Sequence, residues 1–275
     1  MSDEKKMDNN AETIVKVVGT LAEKTVVPIY EDLAKPSLRQ IGEGLGGFLS
    51  LAMMPLQMMG YQAEHWKSKF QELLDKKASK IPEERLQSPD LIITGPIMQA
   101  LGYTVHKDDL RELFTNLLTT SMDSQTAKEA LPCFVEMIKQ ISPDEAKILR
   151  FLSKNSPQPV VDVMSVTLDQ LTINYLVREE SYIPEDSGCE YVELGPQYLG
   201  NLLRLGLIDL PENVPLSDPK YYERLDQWFK ENFEDGENYE KAQNTQLKLR
   251  RRRVRMSQLG TMFLSACVLE RGVSR

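Results

Sequence analysis

PQYLGNLLRLGLIDL, residues 196–210, is the stretch whose reading decides the fold of the C-terminal half. Leu199, Leu202 and Leu203 set an apolar helical face, Gly206 stands where a helix ends in the left-handed conformation, and Leu207, Ile208 and Leu210 begin an extended run. Downstream, LKLRRRRVRM at 247–256 alternates enough to be a second strand. SQLGTMFLSACVLE at 257–270 then reads as a helix started by Ser257, with Leu259, Met262, Phe263 and Cys267 facing inward. Upstream, Ser142-Pro143-Asp144-Glu145 carries an N-cap, a proline at the first helical position and the glutamate of a capping box, predicting a helix from Pro143 to about Asn155. A Pro-rich piece and a mixed segment through Val177 separate that helix from the next. Helix, strand, long loop, strand, helix is the order of a winged-helix unit whose wing has been enlarged. The enlargement, residues 211–246, is acidic: positions 221–241 hold seven acids against three bases, with Tyr221, Tyr222, Trp228 and Phe229 among them. It reads as a loop with one short helix.

The N-terminal half is helical throughout. Apolar positions recur at spacings of three and four from Glu12 to Leu33, a long amphipathic helix kinked at Pro28. Between Glu43 and Glu64 lie 20 consecutive uncharged residues, after which HWKSKFQELLDKKASKI returns to an amphipathic pattern. IPEERLQSPDLIITGPIMQA, residues 81–100, contains three prolines and reads as a loop leading into a short helix. Leu110, Leu113, Phe114, Leu117 and Leu118 mark another helix, and Phe134, Val135, Met137, Ile138 and Ile141 repeat the spacing. The fold class is therefore mainly α: an N-terminal helical domain, 1–141, followed by a C-terminal winged-helix-like α+β domain, 142–275, with an acidic insertion in its wing.

Composition narrows function. The chain has 275 residues, 33 Lys+Arg against 41 Asp+Glu, and a formal charge of -8. That acidity excludes a protein that coats nucleic acid with its whole surface. Two histidines, His65 and His106, in no metal-binding setting argue against a zinc hydrolase or deaminase. Three widely spaced cysteines, Cys133, Cys189 and Cys267, with no C-x-x-C pair, read as reduced and mostly buried thiols. The opening MSDEKKMDNNAE has no basic segment leading into an apolar one, which points to the cytoplasm or the cytoplasmic face of the inner membrane.

Two stretches stand out as candidate sites. Gly42, Gly44 and Gly47 satisfy G-x-G-x-x-G, but no buried strand precedes them, so no dinucleotide cofactor is expected. Gly42 and Gly46 instead make a small-x-x-x-small pair within the Gly/Met-rich segment 42–61, whose Phe48, Leu49, Leu51, Met53, Met54, Leu56 and Met58 suit either a buried helical hairpin or a membrane or partner helix. The second stretch is Lys248, Arg250, Arg251, Arg252, Arg253 and Arg255, six cations in eight residues. They suit phosphate, of nucleic acid or of anionic lipid, or else an edge strand neutralised by the acidic insertion before it. No catalytic constellation emerges. The carboxylate doublets Glu83-Glu84, Asp108-Asp109 and Glu179-Glu180 are adjacent in sequence and read as solvated surface.

PIYEDLAKPSLRQIGEGLG, IPEERLQSPDLIITGPIMQALGYT, ELFTNLLTTSMD, LPCFVEMIKQISPDEAKIL, GNLLRLGLI and SQLGTMFLSAC, taken together in order and spacing, resemble the Abi-alpha family of bacterial abortive-infection proteins, from about Val26 to Cys267. The resemblance implies a role in antiphage defence and brings no catalytic residue and no metal with it. The expectation is a non-enzymatic defence effector acting through rearrangement of its helical domain and association with or disruption of the membrane. The alternative is a winged-helix sensor or regulator that binds nucleic acid. Partners consistent with these readings are an anionic membrane or nucleic acid, a phage-derived trigger or another defence protein, and a second copy of the chain.

Overall fold

The computed structural model describes residues 63–103, 108–169, 171–233 and 245–269. The helix expected over Glu12–Leu33, the apolar segment 42–61 with its glycines, and His106 lie outside the described residues. The chain divides into two compact units, Met1–Lys139 with Leu269–Arg275, and Gln140–Val268. The described residues are rich in helix and carry one four-stranded antiparallel sheet.

In the first unit, α1 (Ala63–Ala78) buries Phe70, Leu74 and Ala78, each four residues after the last, so one stripe faces inward. A 3-10 turn at Glu83–Arg85 leads to α2 (Leu91–Tyr103), opened by Asp90, whose Oδ1 accepts the Ile92 N–H at 3.0 Å. The proline-bearing stretch thus yields a helix of 13 residues that keeps Pro96 within it, longer than the short one its three prolines suggested. Next, α3 (Asp108–Ser121) is buried on nearly every side and includes Thr115, Thr119, Thr120 and Ser121. Their hydroxyls donate to carbonyls three or four residues back at 2.6–2.8 Å, which lets polar side chains sit in an apolar setting. The short α4 (Pro132–Lys139) adds Phe134, Val135 and Ile138. Cys133 on that helix is exposed and Cys189 half-buried; Cys267 alone of the three is buried, correcting the expectation of mostly buried thiols.

Near the start of the second unit, the capping box read from the sequence is formed. The Glu145 N–H donates to Ser142 Oγ at 3.2 Å, and Glu145 Oε2 accepts the Ser142 N–H at 2.6 Å, opening α5 (Pro143–Asn155). Two long strands follow, β1 (Gln158–Thr167) and β2 (Ile173–Glu180), joined as a hairpin in the segment that sequence left as mixed. After them come a short α6 (Ile183–Ser187) and α7 (Gly195–Arg204). Helix α7 ends as its glycine predicts: Gly206 has φ +71, the Leu207 N–H reaches the Leu202 carbonyl at 3.0 Å, and the Gly206 N–H reaches that of Leu203 at 2.9 Å. The extended run beyond it is only two residues of strand, β3 (Ile208–Asp209).

The described part of the insertion holds the one short helix expected there. A 3-10 turn at Pro219–Tyr222 leads into α8 (Glu223–Asn232), which lays Tyr222 and Leu225 against Val161 and Leu249 of the sheet. The chain returns as β4 (Thr245–Met256), so the strand claims the last two residues assigned to the insertion. It lies between β1 and β3, in the order β2-β1-β4-β3. Ser257 caps α9 (Gln258–Phe263) through the Gly260 N–H at 2.8 Å, and a π turn over Leu264–Val268 buries Cys267. Phe263 faces inward as expected, whereas Met262 is exposed. Gly260 is required by close approach: a Cβ there would fall 1.9 Å from the Leu207 carbonyl oxygen.

Candidate functional site

Directly paired residues of an antiparallel sheet point to the same face, so the register sorts the arginine run. Lys248 pairs with Met164, Arg250 with Asp162 and Arg252 with Val160, on one face; Arg251 and Arg253 project from the other. Asp162, wholly buried, is the hub of the first face. Its Oδ2 accepts Arg250 Nε and Nη2 at 3.0 and 2.7 Å and Arg252 Nη1 at 3.1 Å, while Oδ1 accepts the Glu179 N–H at 2.9 Å. Burial alone would raise the Asp162 carboxyl, but the Glu179 N–H and the two guanidiniums outweigh it and hold it below the usual carboxylate range. Arg252 spends its other terminal nitrogen on the Leu210 carbonyl at 2.7 Å. On the opposite face Arg251 pairs with Asp226 at 2.7 Å and lies over the Tyr222 ring, and at the strand end Arg255 pairs with Asp209 at 3.2 Å.

Four of the six cations expected to contact phosphate are therefore paired with carboxylates, and only Asp226 among those acids belongs to the acidic insertion. Lys248 and Arg253 are half-buried on opposite faces. The paired arginines hold β4 to β1, β3 and α8, and the accessible Asp162 face combines Lys248 and Arg250 of the run with residues of β2.

Two register shifts in the β1–β2 pairing build that face. Val163 pairs with Val177 but Met164 with Tyr175, so Leu176 is an extra residue; a second shift lies between the Val161–Glu180 and Val163–Val177 pairs, where Glu179 adopts φ +60. In a regular strand Tyr175 and Arg178, three apart, would face opposite sides. The extra residue at Leu176 turns both to the Asp162 face. The Arg178 guanidinium carbon stands 4.7 Å from the Tyr175 ring centroid and that of Arg250 5.2 Å from it. Tyr175 is 39% exposed and Arg178 is exposed, while Arg250 is braced from beneath by Asp162. Sequence reasoning passed over Asp162, Tyr175 and Arg178; an aspartate amid the apolar PVVDVMSV was the one available signal.

Another buried carboxylate, Asp144, is a structural pin. It accepts the Glu190 and Tyr191 N–H groups at 3.0 and 3.1 Å, the Tyr198 hydroxyl at 3.1 Å and Lys147 Nζ at 2.8 Å. Its own burial opposes ionisation, yet Lys147 and these donors lower it to about 2. The Glu179-Glu180 doublet is half-buried, correcting its reading as solvated surface, and burial beside Glu185 pushes Glu180 up. Among the described residues no group of three or more His, Cys, Asp or Glu side chains could hold a metal ion, and no helix is long and apolar enough to cross a membrane. The membrane or partner candidates Gly42 to Met58 lie outside the described residues.

No curated protein matches the chain. A solved structure described as an uncharacterized protein of the hydrocarbon-degrading marine bacterium Alcanivorax borkumensis SK2 is similar at 18% identity and a TM-score of 0.34, covering 52% of this chain and 94% of that one, a likeness too slight to carry an argument. The model of the family described as Abortive infection alpha matches residues 62–267, starting later than the resemblance read from sequence near Val26. That match takes in both units, including the bulged hairpin and the arginine strand, and the chain belongs to the abortive infection alpha family.

Proposed function

We propose that the chain is an antiphage effector that acts without catalysis: its helical unit rearranges on infection and delivers the Gly/Met-rich segment 42–61 to the inner membrane, while the second unit serves as a winged-helix-like sensor. Family membership supplies the abortive-infection role. The observation that carries the non-catalytic reading is how the chain uses Asp144 and Asp162, the two buried carboxylates held below the usual range. Shifted carboxylates mark many active sites, yet Asp144 and Asp162 are each consumed by at least four hydrogen bonds from the protein itself. Neither has capacity left for a substrate proton. The order α5, β1, α6, α7, β3, insertion, β4, with β4 between β1 and β3, supports the winged-helix reading, β2 being an added strand. The membrane step rests on the length of the uncharged run and its small-residue spacing. The protein is accordingly assigned to the cytoplasm, reaching the membrane only on activation. Leu49→Asp or Leu51→Asp, assayed by plaque counts on cells carrying the chain, is expected to abolish protection with protein levels unchanged. Full protection by both variants overturns the membrane step.

A second reading, a sensor that binds nucleic acid through the second unit, is favoured by the Tyr175, Arg178 and Arg250 arrangement.

A further inference from the structure

A duplex-binding winged helix needs a helix that enters the major groove and a long row of phosphate contacts. The helix in that position here, α7, offers GPQYLGNLLR, with Arg204 its one basic residue. The Arg204 guanidinium is held by Asn201 Oδ1 at 2.7 Å and Gln140 Oε1 at 3.0 Å, and Glu190 and Glu193 precede the helix. Such a helix is poorly made for a groove lined with phosphates.

The hairpin face is made differently. Tyr175, Met164 and Lys248 form one row across three strands, spanning about 10 Å. Arg178 and Arg250 converge on the Tyr175 ring from the neighbouring row. Guanidinium planes and tyrosine rings are the surfaces on which unstacked bases lie, and exposed base faces exist only where strands are unpaired. The charge is right as well. Arg178, Lys248, Arg250 and Arg252 share the sheet face that carries Asp162, and Glu212 is the further acid whose charge Arg250 senses, leaving the patch positive on an acidic protein. The Asp162 brace fixes Arg250 before any ligand arrives, which lowers the ordering cost of binding.

We propose that this face binds unpaired nucleic acid, with a base stacked on the Tyr175–Arg178 platform and the flanking phosphates held by Arg178 and Lys248. The proposal rests on the nucleic-acid reading given above and narrows it to single strands and to the hairpin face.

The test measures fluorescence anisotropy of the full chain with labelled oligothymidylate of about 20 nucleotides, its RNA counterpart and a duplex of the same length, beside sedimentation with phosphatidylglycerol–phosphatidylcholine vesicles. Single strands are expected to bind more tightly than the duplex. Tyr175→Ala and Arg178→Ala each weaken single-strand binding about 5- to 100-fold, Tyr175→Phe retains it, and Arg178→Ala flattens the salt dependence by about one phosphate contact. Arg251→Ala, on the other face, leaves it unchanged. Both principal side chains are exposed, so their loss leaves the fold intact, which circular dichroism verifies. If Arg251→Ala and Arg253→Ala weaken binding while Tyr175→Ala does not, the nucleic-acid reading stands and the hairpin site falls. Duplex binding as tight as single-strand binding also overturns the site. Binding to vesicles alone, or to none of the probes, overturns both.

Discussion

Replacing Asp162 with Asn removes the single negative charge shared by two guanidiniums at the centre of the sheet. Asp162 has no exposed surface, and the Arg252 and Arg250 side chains keep only 4% and 17% of theirs, so water cannot take over the lost role. Breaking one partner of a buried ion pair leaves an uncompensated buried charge, at a cost of about 3–5 kcal/mol. Asparagine still offers an oxygen to the Glu179 N–H, which places the expected loss near the lower end, about 3 kcal/mol. At roughly 3–5 °C per kcal/mol for a unit of this size, the melting midpoint falls by about 10 °C. The contrast is Asp226→Asn, which breaks the Arg251 pair where the partners keep 41% and 28% of their side-chain exposure and costs less than about 1 kcal/mol. Urea unfolding of the two variants beside the parent, followed by far-ultraviolet circular dichroism, measures both. A loss at Asp162 no larger than that at Asp226 refutes the claim that the arginine strand is anchored by one buried carboxylate.

Two further outcomes follow from the same geometry. Asp144 is held at about 2 in the fold against 3.8 in an unfolded chain, so the folded state binds its proton less readily. Its contribution, about 2 kcal/mol, is fully present above about pH 4 and is lost as pH falls through about 2. Asp144→Asn, titrated by chemical unfolding, is expected to be less stable than the parent at neutral pH and to close that gap in this acid window; a gap constant with pH contradicts the assignment. The Tyr222 hydroxyl donates to the Arg252 carbonyl at 2.6 Å and accepts the Leu216 N–H at 2.9 Å, pinning the insertion to β4. Tyr222→Phe is expected to cost about 1–3 kcal/mol and to speed trypsin cleavage within 211–233, and unchanged cleavage contradicts that role.

What could be read from sequence was local in origin. The Ser142 capping box, the Gly206 cap and the Ser257 N-cap each complete their signal within a few residues, and each stands where that signal placed it. The β1–β2 hairpin had no such signature. Strand β1 is buried on both faces, with Asp162 at its centre, so it shows no alternation, and the two extra residues in β2 erase the period of two there. The same irregularity that hid the strand brings Tyr175 and Arg178 to one face. The acid partners of the arginines were equally out of reach, since Asp162 lies 88 residues from Arg250 in sequence and Asp209 lies 46 from Arg255. Charge density drew attention to the run, and long-range pairing determines how much of it is available to a ligand.

The central claim is that infection moves this chain to the inner membrane through the segment between Gly42 and Tyr61. Fractionation of cells carrying the chain, before infection and during it, with the inner membrane separated from the soluble fraction and the chain followed by immunoblot, tests that claim most directly. The account predicts recovery in the soluble fraction before infection and in the inner-membrane fraction once phage has entered. A chain that stays soluble throughout infection while the culture is protected contradicts it.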